Sequence, residues 1–509
     1  MIAPFGPGIA QADVELERFK HGGRLYPKVE SQRGIMTFNA AILNLEYGYR
    51  YRKKGANLSD INCFRVEEIE MSEKLSFDWF IAKIHEVFDR LPDYRKFSPN
   101  LRYSVKEAVL GAFALFFSQS PSFLAYQQAM QQAQRRNNAQ SLFGIEQIPS
   151  DNQIRNLLDP LEPRLFYPVF SSTFEHLEKA GHLKAYRFFE GCLLVPLDGT
   201  EYFRSSKIHC SNCSVTHHTN GKVSYSHKVL TPVVVAPGNP KVIALEPEFI
   251  VPQDGAKKQD CELNAAKRWV ERNAALAAKK AIILGDDLFS KEPFCQDLLR
   301  HGVHFILVCK PDSHKTLYEW VASLEKTGDL QSFSLQKWNG RFHERSTYRY
   351  LNQLPLNGGE TALEVNWVEL TVTRTDTGEI LYKNAFITDF PLTRSTVPQI
   401  VQAGRARWKV ENENNNVLKT KGYHLEHNYG HGSQFLSTTL LTLNLLAFLA
   451  HTFLEVVDTP YRAIRQKLSA RKTFFHDFTT LTKYVFFESW SQLMAFMVEQ
   501  LEIEPADTG

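Results

Sequence analysis

The sequence predicts an α/β protein in which a mixed sheet is flanked by helices, with an N-terminal helical domain and a β-rich insertion. Three observations predict this class. An apolar run typical of a buried helix, VLGAFALFF, begins soon after Ser104. From residue 187 strands and a helix follow in the order β-β-β-α-β. Between about 330 and 390, side chains alternate at period two around turn sequences.

The N-terminal helices carry start signals. Residues 104–107 (SVKE) have the spacing of a capping box, and residues 150–153 (SDNQ) repeat it before a shorter helix. That shorter helix exposes Gln153, Arg155 and Asn156. This pattern fits a helix-turn-helix that reads DNA, or the polar face that a small helical domain needs for solubility.

The central elements are defined by apolar runs that end in turn residues. The helix that begins at Asp260 has apolar residues at helical spacing, and the last strand is continuously apolar, as a buried strand is. In order, the expected elements are strands at 193–197, 224–237 and 241–251, a helix at 260–280, a strand at 281–284, a helix at 294–300 and a strand at 304–310.

Composition limits the class of protein. With 509 residues, 43% hydrophobic and 23% charged, the chain is globular, with about two to four domains, and disordered or fibrous classes are excluded. Lys and Arg total 59 against 56 for Asp and Glu, a net charge of +3. A polyanionic partner would therefore have to meet a local basic surface.

The seven cysteines are dispersed, and only Cys210 and Cys213 are close in sequence, which favours a reducing, cytoplasmic compartment. The N-terminus has no secretory signal pattern. Residues 435–457 are apolar but include Ser, Thr, Asn, His and Glu. These polar residues cost more in lipid than in a packed interior, so the segment is expected to be a core helix rather than a membrane span.

Two aspartates stand where buried strands end. Asp198 closes the first strand, in VPLDGT, and Asp286 closes the fourth, in IILGDD. They lie side by side if these strands are neighbours, and the carboxyl edge of a sheet is where α/β folds hold functional groups. Each alone is readily explained as a turn residue, since Asp-Gly is a common turn dipeptide. Together, in this strand order, they indicate a functional site.

A third acid is needed if two divalent cations are to be held roughly 3.5 to 4 Å apart for phosphoryl chemistry. The helical text ARWKVENENN offers Glu411 and Glu413. On an α-helix these point about 200° apart, so one of them can face the site. Arg407 lies one turn before Glu411 on the same face and can orient it, which favours Glu411.

With these residues in place, the chain resembles bacterial insertion-sequence transposases of the DDE type, whose catalytic domain is ribonuclease H-like. Members with a β-rich insertion before the Glu show Tyr, two residues, Arg, three residues, Glu, six residues, Lys. Arg407 and Glu411 match this motif. Gly404 stands at the Tyr place and Leu418 at the Lys place, with Lys419 one residue beyond.

Two further positions bear on the resemblance. Lys421 is a second option for the lysine. The family's second acid usually stands in Asp-x-x-Tyr/Phe, which Asp286 and Phe289 fit, and Asp287 occupies a place often held by Arg. We therefore interpret Asp287 as a near neighbour of the site rather than a ligand.

The resemblance implies an activity. Asp198, Asp286 and Glu411 would hold two Mg²⁺ (or Mn²⁺) ions, and the enzyme would cut double-stranded DNA at the terminal inverted repeats of its element and join the 3′-ends to target DNA. A homodimer or higher multimer would pair two ends, at the bacterial nucleoid and without a membrane. The DNA-binding residues would be Arg405, Arg407, Lys419 and Lys421.

The residue patterns and the resemblance together divide the chain, with Met71 as an alternative start. The expected parts are a poorly ordered extension (1–70), a helical, DNA-binding domain (71–180), a ribonuclease H-like catalytic domain (187–320 and 391–457), a β-rich insertion (321–390) and a C-terminal helical segment (458–509). Two other functions remain open: a metal-dependent nuclease of the same fold, which cuts without joining, and an inactive DNA-binding relative.

A second cluster follows the first strand. Cys210, Cys213, His217 and His218 suffice for a four-coordinate structural Zn²⁺ site that would stiffen a loop; the alternative is two buried free cysteines with solvent-exposed histidines. A further group follows the Glu411 helix and fits either metal ligands or donors to phosphate. Its members are His424, Glu426, His427 and His431.

Overall fold

The computed structural model describes residues 17–21, 24–28, 74–96, 98–99, 101–131, 137–252, 260–275 and 279–504. The chain divides into two compact units, 1–73 and 74–509. In the first, β1 (Glu17–His21) and β2 (Arg24–Lys28) pair antiparallel. The expected disorder of residues 1–70 and the alternative start at Met71 otherwise lie outside the described residues.

The second unit contains the remaining elements. Its strands are β3 (Leu193–Pro196), β4 (Gly199–Ser205), β5 (Ser214–His217), β6 (Val223–Leu230), β7 (Val233–Val234), β8 (Ile243–Ala244), β9 (Glu248–Ile250), β10 (Ala281–Gly285), β11 (His304–Val308), β12 (Gln331–Trp338), β13 (His343–Pro355), β14 (Glu364–Arg374) and β15 (Ile380–Thr388).

The helices before the large sheet are α1 (Phe77–Phe88), α2 (Val105–Phe117), α3 (Phe123–Gln131), α4 (Asn138–Phe143), α5 (Asp151–Leu158) and α6 (Tyr167–Lys179). Short 3₁₀ turns lie at Pro163–Phe166, before α6, and at His182–Tyr186 and Phe189–Gly191, after it. The later helices are α7 (Glu262–Arg272), α8 (Glu292–Arg300), α9 (Lys315–Thr327), α10 (Val397–Arg405), α11 (Asn416–Thr420), α12 (Leu436–Val457), α13 (Thr459–Leu468), α14 (Arg471–Tyr484) and α15 (Trp490–Gln500), with a π-helical segment at Val410–Asn415.

A mixed sheet of seven strands runs through the second unit, in the order β12-β13-β14-β15-β11-β10-β3. Strands β3, β10 and β11 are parallel, and β15 pairs antiparallel with β11. On the outer side of β3, an antiparallel bridge from Leu194 to Val235 attaches the β7-β8 pair. The strands expected between 321 and 390 are present as β12–β15, and they continue this sheet edge to edge.

A smaller sheet forms beside it, in the order β4-β6-β5, with β9 also on β6. The sequence predicted one strand at 224–237, but β6 ends at Leu230 and β7 is separate. Strands β4 and β5 were not predicted. Both carry several polar residues and lie partly exposed, so their text lacks the apolar signal of a buried strand.

Helices cover both faces of the large sheet. Ile306 and Leu307 are consecutive on β11, so their side chains point to opposite faces. A Cβ on Gly404 in α10 would lie 3.0 Å from Ile306. On the other face, a Cβ on Gly285 at the end of β10 would lie 3.0 Å from Leu307 and 2.9 Å from Phe289, which precedes α8. This is the mixed sheet flanked by helices that the sequence predicts.

The helix α12 is the centre of the helical part. It packs against α2, α5, α6 and α13, and 83% of its most apolar window is buried. Within the described residues it is the one helix long and apolar enough to cross a membrane by length and composition. Its polar residues bond inside the protein: Thr439 donates to the Leu161 carbonyl at 2.6 Å and Asn444 to that of Tyr423 at 2.8 Å. The predicted core helix is confirmed.

The two predicted capping boxes differ in outcome. Ser104 and Glu107 form both reciprocal hydrogen bonds. Ser150 stands at the N-cap of α5, but its side chain makes no capping hydrogen bond, so that prediction was wrong. In α5, Arg155 donates to the Tyr429 carbonyl at 2.8 Å, whereas Gln153 stays exposed. One of the three polar residues considered for DNA is thus used in packing.

Gly404 has a packing reason. A Cβ there would lie 2.8 Å from the Phe386 ring and 3.0 Å from Ile306, so the motif's tyrosine has no room. Gly404→Ala should lower the free energy of unfolding by about 1 to 3 kcal/mol through overpacking, although helix propensity alone would raise it by about 1 kcal/mol. Urea unfolding checks this, with exposed Gln402→Ala as control. Increased stability in Gly404→Ala would contradict the packing argument.

Candidate active site

Asp198 and Asp286 lie at the same edge of the large sheet. Strands β3 and β10 are parallel neighbours, and Pro196 is in register with Leu284. Each aspartate stands two residues beyond its paired residue, so both emerge at the carboxyl ends of adjacent buried strands. The adjacency predicted from the sequence is confirmed.

The carboxylate of Asp198 is held by a side-chain relay. Asn415 donates through Nδ2 to Asp198 Oδ2 at 3.0 Å. The amide oxygen of Asn415 accepts from the Thr231 hydroxyl at 2.7 Å, and the Thr231 amide donates to the Asp198 carbonyl at 3.1 Å. The first acid is therefore fixed jointly by the end of β6 and the segment that carries Glu411.

That segment is a π-helix, not the α-helix that the sequence predicted. Lys409, just before it, is buried and donates to the Asn239 carbonyl at 2.8 Å. Asn414 and Asn415 are also buried, and Asn414 donates to the Asn415 amide oxygen at 3.1 Å. Single π-turns are frequent at functional sites. Here two consecutive side-chain amides, those of Asn414 and Asn415, lie in the interior.

Glu411 lies four residues before Asn415 and close enough to Asp198 to raise its pKa. Its carboxylate accepts from Arg407 at 2.6 Å, and its side chain is 48% exposed. The predicted Arg407–Glu411 pairing is present. Glu413 is half-buried in the same segment.

The electrostatics around Asp198 are those of a carboxylate cluster. Burial, together with the nearby carboxylates of Glu411, Glu262 and Asp286, raises the pKa of Asp198 to about 7 against the lowering effect of Arg407. Like charges at one site disfavour the ionised form. The three predicted acids therefore share one electrostatic environment.

Glu262 is a fourth acid that sequence reasoning missed. It begins α7, and a Cβ on Gly199 would overlap its carboxylate, so its side chain lies against the residue that follows Asp198. Burial and the nearby Asp286 raise the pKa of Glu262, while Lys228 lowers it. An acid in the first turn of an amphipathic helix looks like an ordinary helix start, so the sequence offered no specific signal.

Asp287 is turned away to a different loop. Its carboxylate accepts from the Lys310 amide at 2.7 Å and from the Ser313 hydroxyl. Asp286 instead accepts from the amide of Leu288 at 2.9 Å. Asp287 is thus a neighbour of Asp286 that anchors the end of β11.

The four predicted DNA-binding residues flank the third acid in sequence, and Arg407 contacts it. Arg405 is exposed, with its guanidinium 4.5 Å from the Tyr382 ring centroid. Arg407 is paired with Glu411 and 19% exposed. Lys419 lies 3.0 Å from Glu426, and Lys421 is exposed.

Among the described residues, a compact group of metal-ligating atoms lies apart in composition from the carboxylate cluster. It consists of Cys210, Cys213, His227 and His431, whose ligand atoms all lie within 4.8 Å of one another. Burial lowers the pKa of His227 to about 3, and burial beside Cys210 raises that of Cys213 to about 11.

The prediction that His217 and His218 complete this group with the two cysteines was wrong. His217 is exposed on β5, opposite Val223, and His218 bonds the Ser224 hydroxyl at 2.8 Å. His227 comes from β6, and His431 lies 218 residues beyond Cys213. His431 belongs to the later group of possible metal ligands, but sequence spacing could not join it to the cysteines, because only the fold brings it near them. His424 and His427 are exposed.

No protein-family model and no curated protein matches the chain. Among solved structures, the chain is similar to a piggyBac transposase seen by cryo-electron microscopy in a synaptic complex with hairpin DNA. The similarity covers 85% of this chain and 80% of that one, with 10% sequence identity and a TM-score of 0.34.

The Asn415 relay is testable by stability. Asn415→Ala removes the donor to Asp198 and leaves the buried Thr231 hydroxyl without its acceptor, so unfolding free energy should fall by about 1 to 3 kcal/mol. Asn412→Ala, exposed in the same segment, should change it by less than about 0.5 kcal/mol. Equal effects of both variants in urea unfolding would argue against the relay.

Proposed function

We propose that the chain is a metal-dependent DNA transposase with a ribonuclease H-like catalytic domain. The observation that carries this is the meeting of Asp198 and Asp286, at the ends of adjacent parallel strands, with the segment of Glu411. The antiparallel β7 on one side of β3 and the parallel β10 on the other support the fold assignment.

The residues fit divalent cations. A half-buried carboxylate whose pKa is raised by three other acids is an unfavourable arrangement that a divalent cation relieves. Oxygen ligands from carboxylates are those that Mg²⁺ prefers. Asp198, Asp286 and Glu411 would hold the ions. When bound, two such ions supply Lewis acidity for in-line phosphoryl transfer, at the attacking and the leaving oxygen.

The chain's own residues position this chemistry. Asn415 fixes the rotamer of Asp198, and the buried strands fix the separation of the two aspartates. Arg407 holds Glu411 in a pair that has to loosen when Glu411 turns to a cation. No covalent protein intermediate is required.

The basic residues near the third acid would bind the DNA backbone. Arg405 and Lys421 are exposed, and Lys419 can leave its exposed partner Glu426 at little cost, because surface ion pairs are weak. Phosphate contacts of this kind make binding salt-dependent. Double-stranded element ends and target DNA are the proposed partners, bound by a dimer or higher multimer in the bacterial cytoplasm.

The test is a cleavage and strand-transfer assay on DNA that carries the ends of the encoding element, with Mg²⁺. Asp198→Ala, Asp286→Ala and Glu411→Ala should lose cleavage and joining while retaining folding and DNA binding. Glu413→Ala, from the same π-helical segment, should remain active.

Two results would replace this proposal. Cleavage without joining by the unaltered protein would indicate a nuclease of the same fold. DNA binding without metal-dependent cleavage would indicate an inactive relative. Loss of activity in Glu413→Ala but not in Glu411→Ala would reassign the third acid.

Glu262 should contribute to cation affinity. Glu262→Gln keeps the shape but removes one charge beside Asp286, so the Mg²⁺ concentration for half-maximal cleavage should rise about tenfold, on the order of 1.4 kcal/mol. Activity should largely recover at saturating Mg²⁺. Glu271→Gln, exposed on the same helix, is the control. An unchanged Mg²⁺ dependence in Glu262→Gln would exclude the role.

A further inference from the structure

We propose that Cys210, Cys213, His227 and His431 form a structural zinc site. It would join the small sheet that begins just after Asp198 to the chain segment that follows Glu411. This differs from the ligand set that the sequence predicts, because both histidines come from elsewhere in the fold.

Four of the six distances between ligand atoms match a tetrahedral zinc centre, and the other two are within 4.8 Å. The two sulfurs are 3.9 Å apart, and His227 Nε2 lies 3.5 Å from Cys210 Sγ and 3.4 Å from Cys213 Sγ. His431 Nε2 lies 3.5 Å from Cys213 Sγ. Bonds of about 2.3 Å to sulfur and 2.0 to 2.1 Å to nitrogen at tetrahedral angles place such ligands about 3.3 to 3.8 Å apart.

The chemistry of the ligands selects the metal and its role. Two thiolates with two imidazoles are a soft tetrahedral set that suits zinc and not Mg²⁺ or Ca²⁺. Four protein ligands leave no open position for water or substrate, which is the form of a structural site. This zinc would therefore be separate from the carboxylate cations.

The cysteines sit in a turn built for their role. The Cys213 amide donates to the Cys210 carbonyl at 3.3 Å, and the Cys210 amide donates to Cys213 Sγ at 3.4 Å. Backbone amides directed at a sulfur stabilise its thiolate form, which is the form that binds metal.

Aromatic rings enclose the histidines. The Tyr202 ring stacks on His227 at 5.6 Å between centroids, and the Phe203 ring lies 4.6 Å from that of His431. An apolar enclosure of this kind limits solvent access to a metal centre.

Two independent contacts hold the segment of His431. Asn212, between the cysteines, donates to the Gln434 carbonyl at 2.7 Å. From the end of α5, Asp159 accepts from the amides of Ser433, Gln434 and Leu436. His431 thus reaches the thiols from a segment whose backbone is anchored at residues 433–436.

The first test is zinc content, measured by mass spectrometry on the full chain purified under reducing conditions without added metal. We expect about one zinc per chain, falling about tenfold or more in the double variant Cys210→Ser/Cys213→Ser. The double variant His217→Ala/His218→Ala should retain its zinc. Absence of zinc, a Cys210–Cys213 disulfide, or zinc lost in the His217/His218 variant would overturn the proposal.

The second test separates metal binding from general misfolding. His431→Ala should lose zinc, whereas His431→Cys should keep it, because cysteine supplies another ligand. X-ray absorption at the zinc edge should change from two sulfurs and two nitrogens to three sulfurs and one nitrogen. Unchanged zinc content in His431→Ala, or an unchanged ligand count in His431→Cys, would exclude His431 as a ligand. Since these measurements need no DNA, their outcome is independent of the proposed transposase activity.

Discussion

The hydrogen bond from Asn415 to Asp198 is the interaction on which the candidate site depends. It is made between the sheet and the π-helical segment, two parts of the chain that are far apart in sequence. The amide uses both of its functions, since its oxygen accepts from Thr231 while its nitrogen reaches the acid. A carboxylate in its place would add another negative charge to the cluster and could not donate when ionised. This amide therefore ties the segment that carries Glu411 directly to Asp198.

The sheet imposes the second constraint, and it resolves the ambiguity of the Asp-Gly dipeptide. A turn would explain Gly199 by a left-handed backbone, but Gly199 is a strand residue of β4 without a positive φ. Glycine is needed there because the side chain of Glu262 occupies the space of a Cβ. The dipeptide therefore reflects close approach of another acid, and both residues belong to the site.

The features that the sequence predicted depend on residues close together in the chain, whereas the proposed zinc site that it missed joins residues that are far apart in sequence. The apolar strands that end at Asp198 and Asp286, the pairing of Arg407 with Glu411 and the core helix α12 follow from local patterns of burial and spacing. The π-helical segment was not predicted, because an analysis of apolar spacing assumes the 3.6-residue period of an α-helix. His431 was named as a possible metal ligand, but its place beside Cys210 and Cys213 was missed, because these partners lie about two hundred residues away and only the fold brings them together.

The acid cluster needs mechanical support because its own charges oppose it. Repulsion among Asp198, Asp286, Glu262 and Glu411 would separate the sheet edge from the π-helical segment unless other contacts resist. Asn415 resists from within the site, and the anchoring of the following segment by Asn212 and Asp159 resists from outside it. Zinc at the cysteines and histidines would add a link at the same boundary. The surrounding contacts can therefore keep these acids close together despite their mutual repulsion.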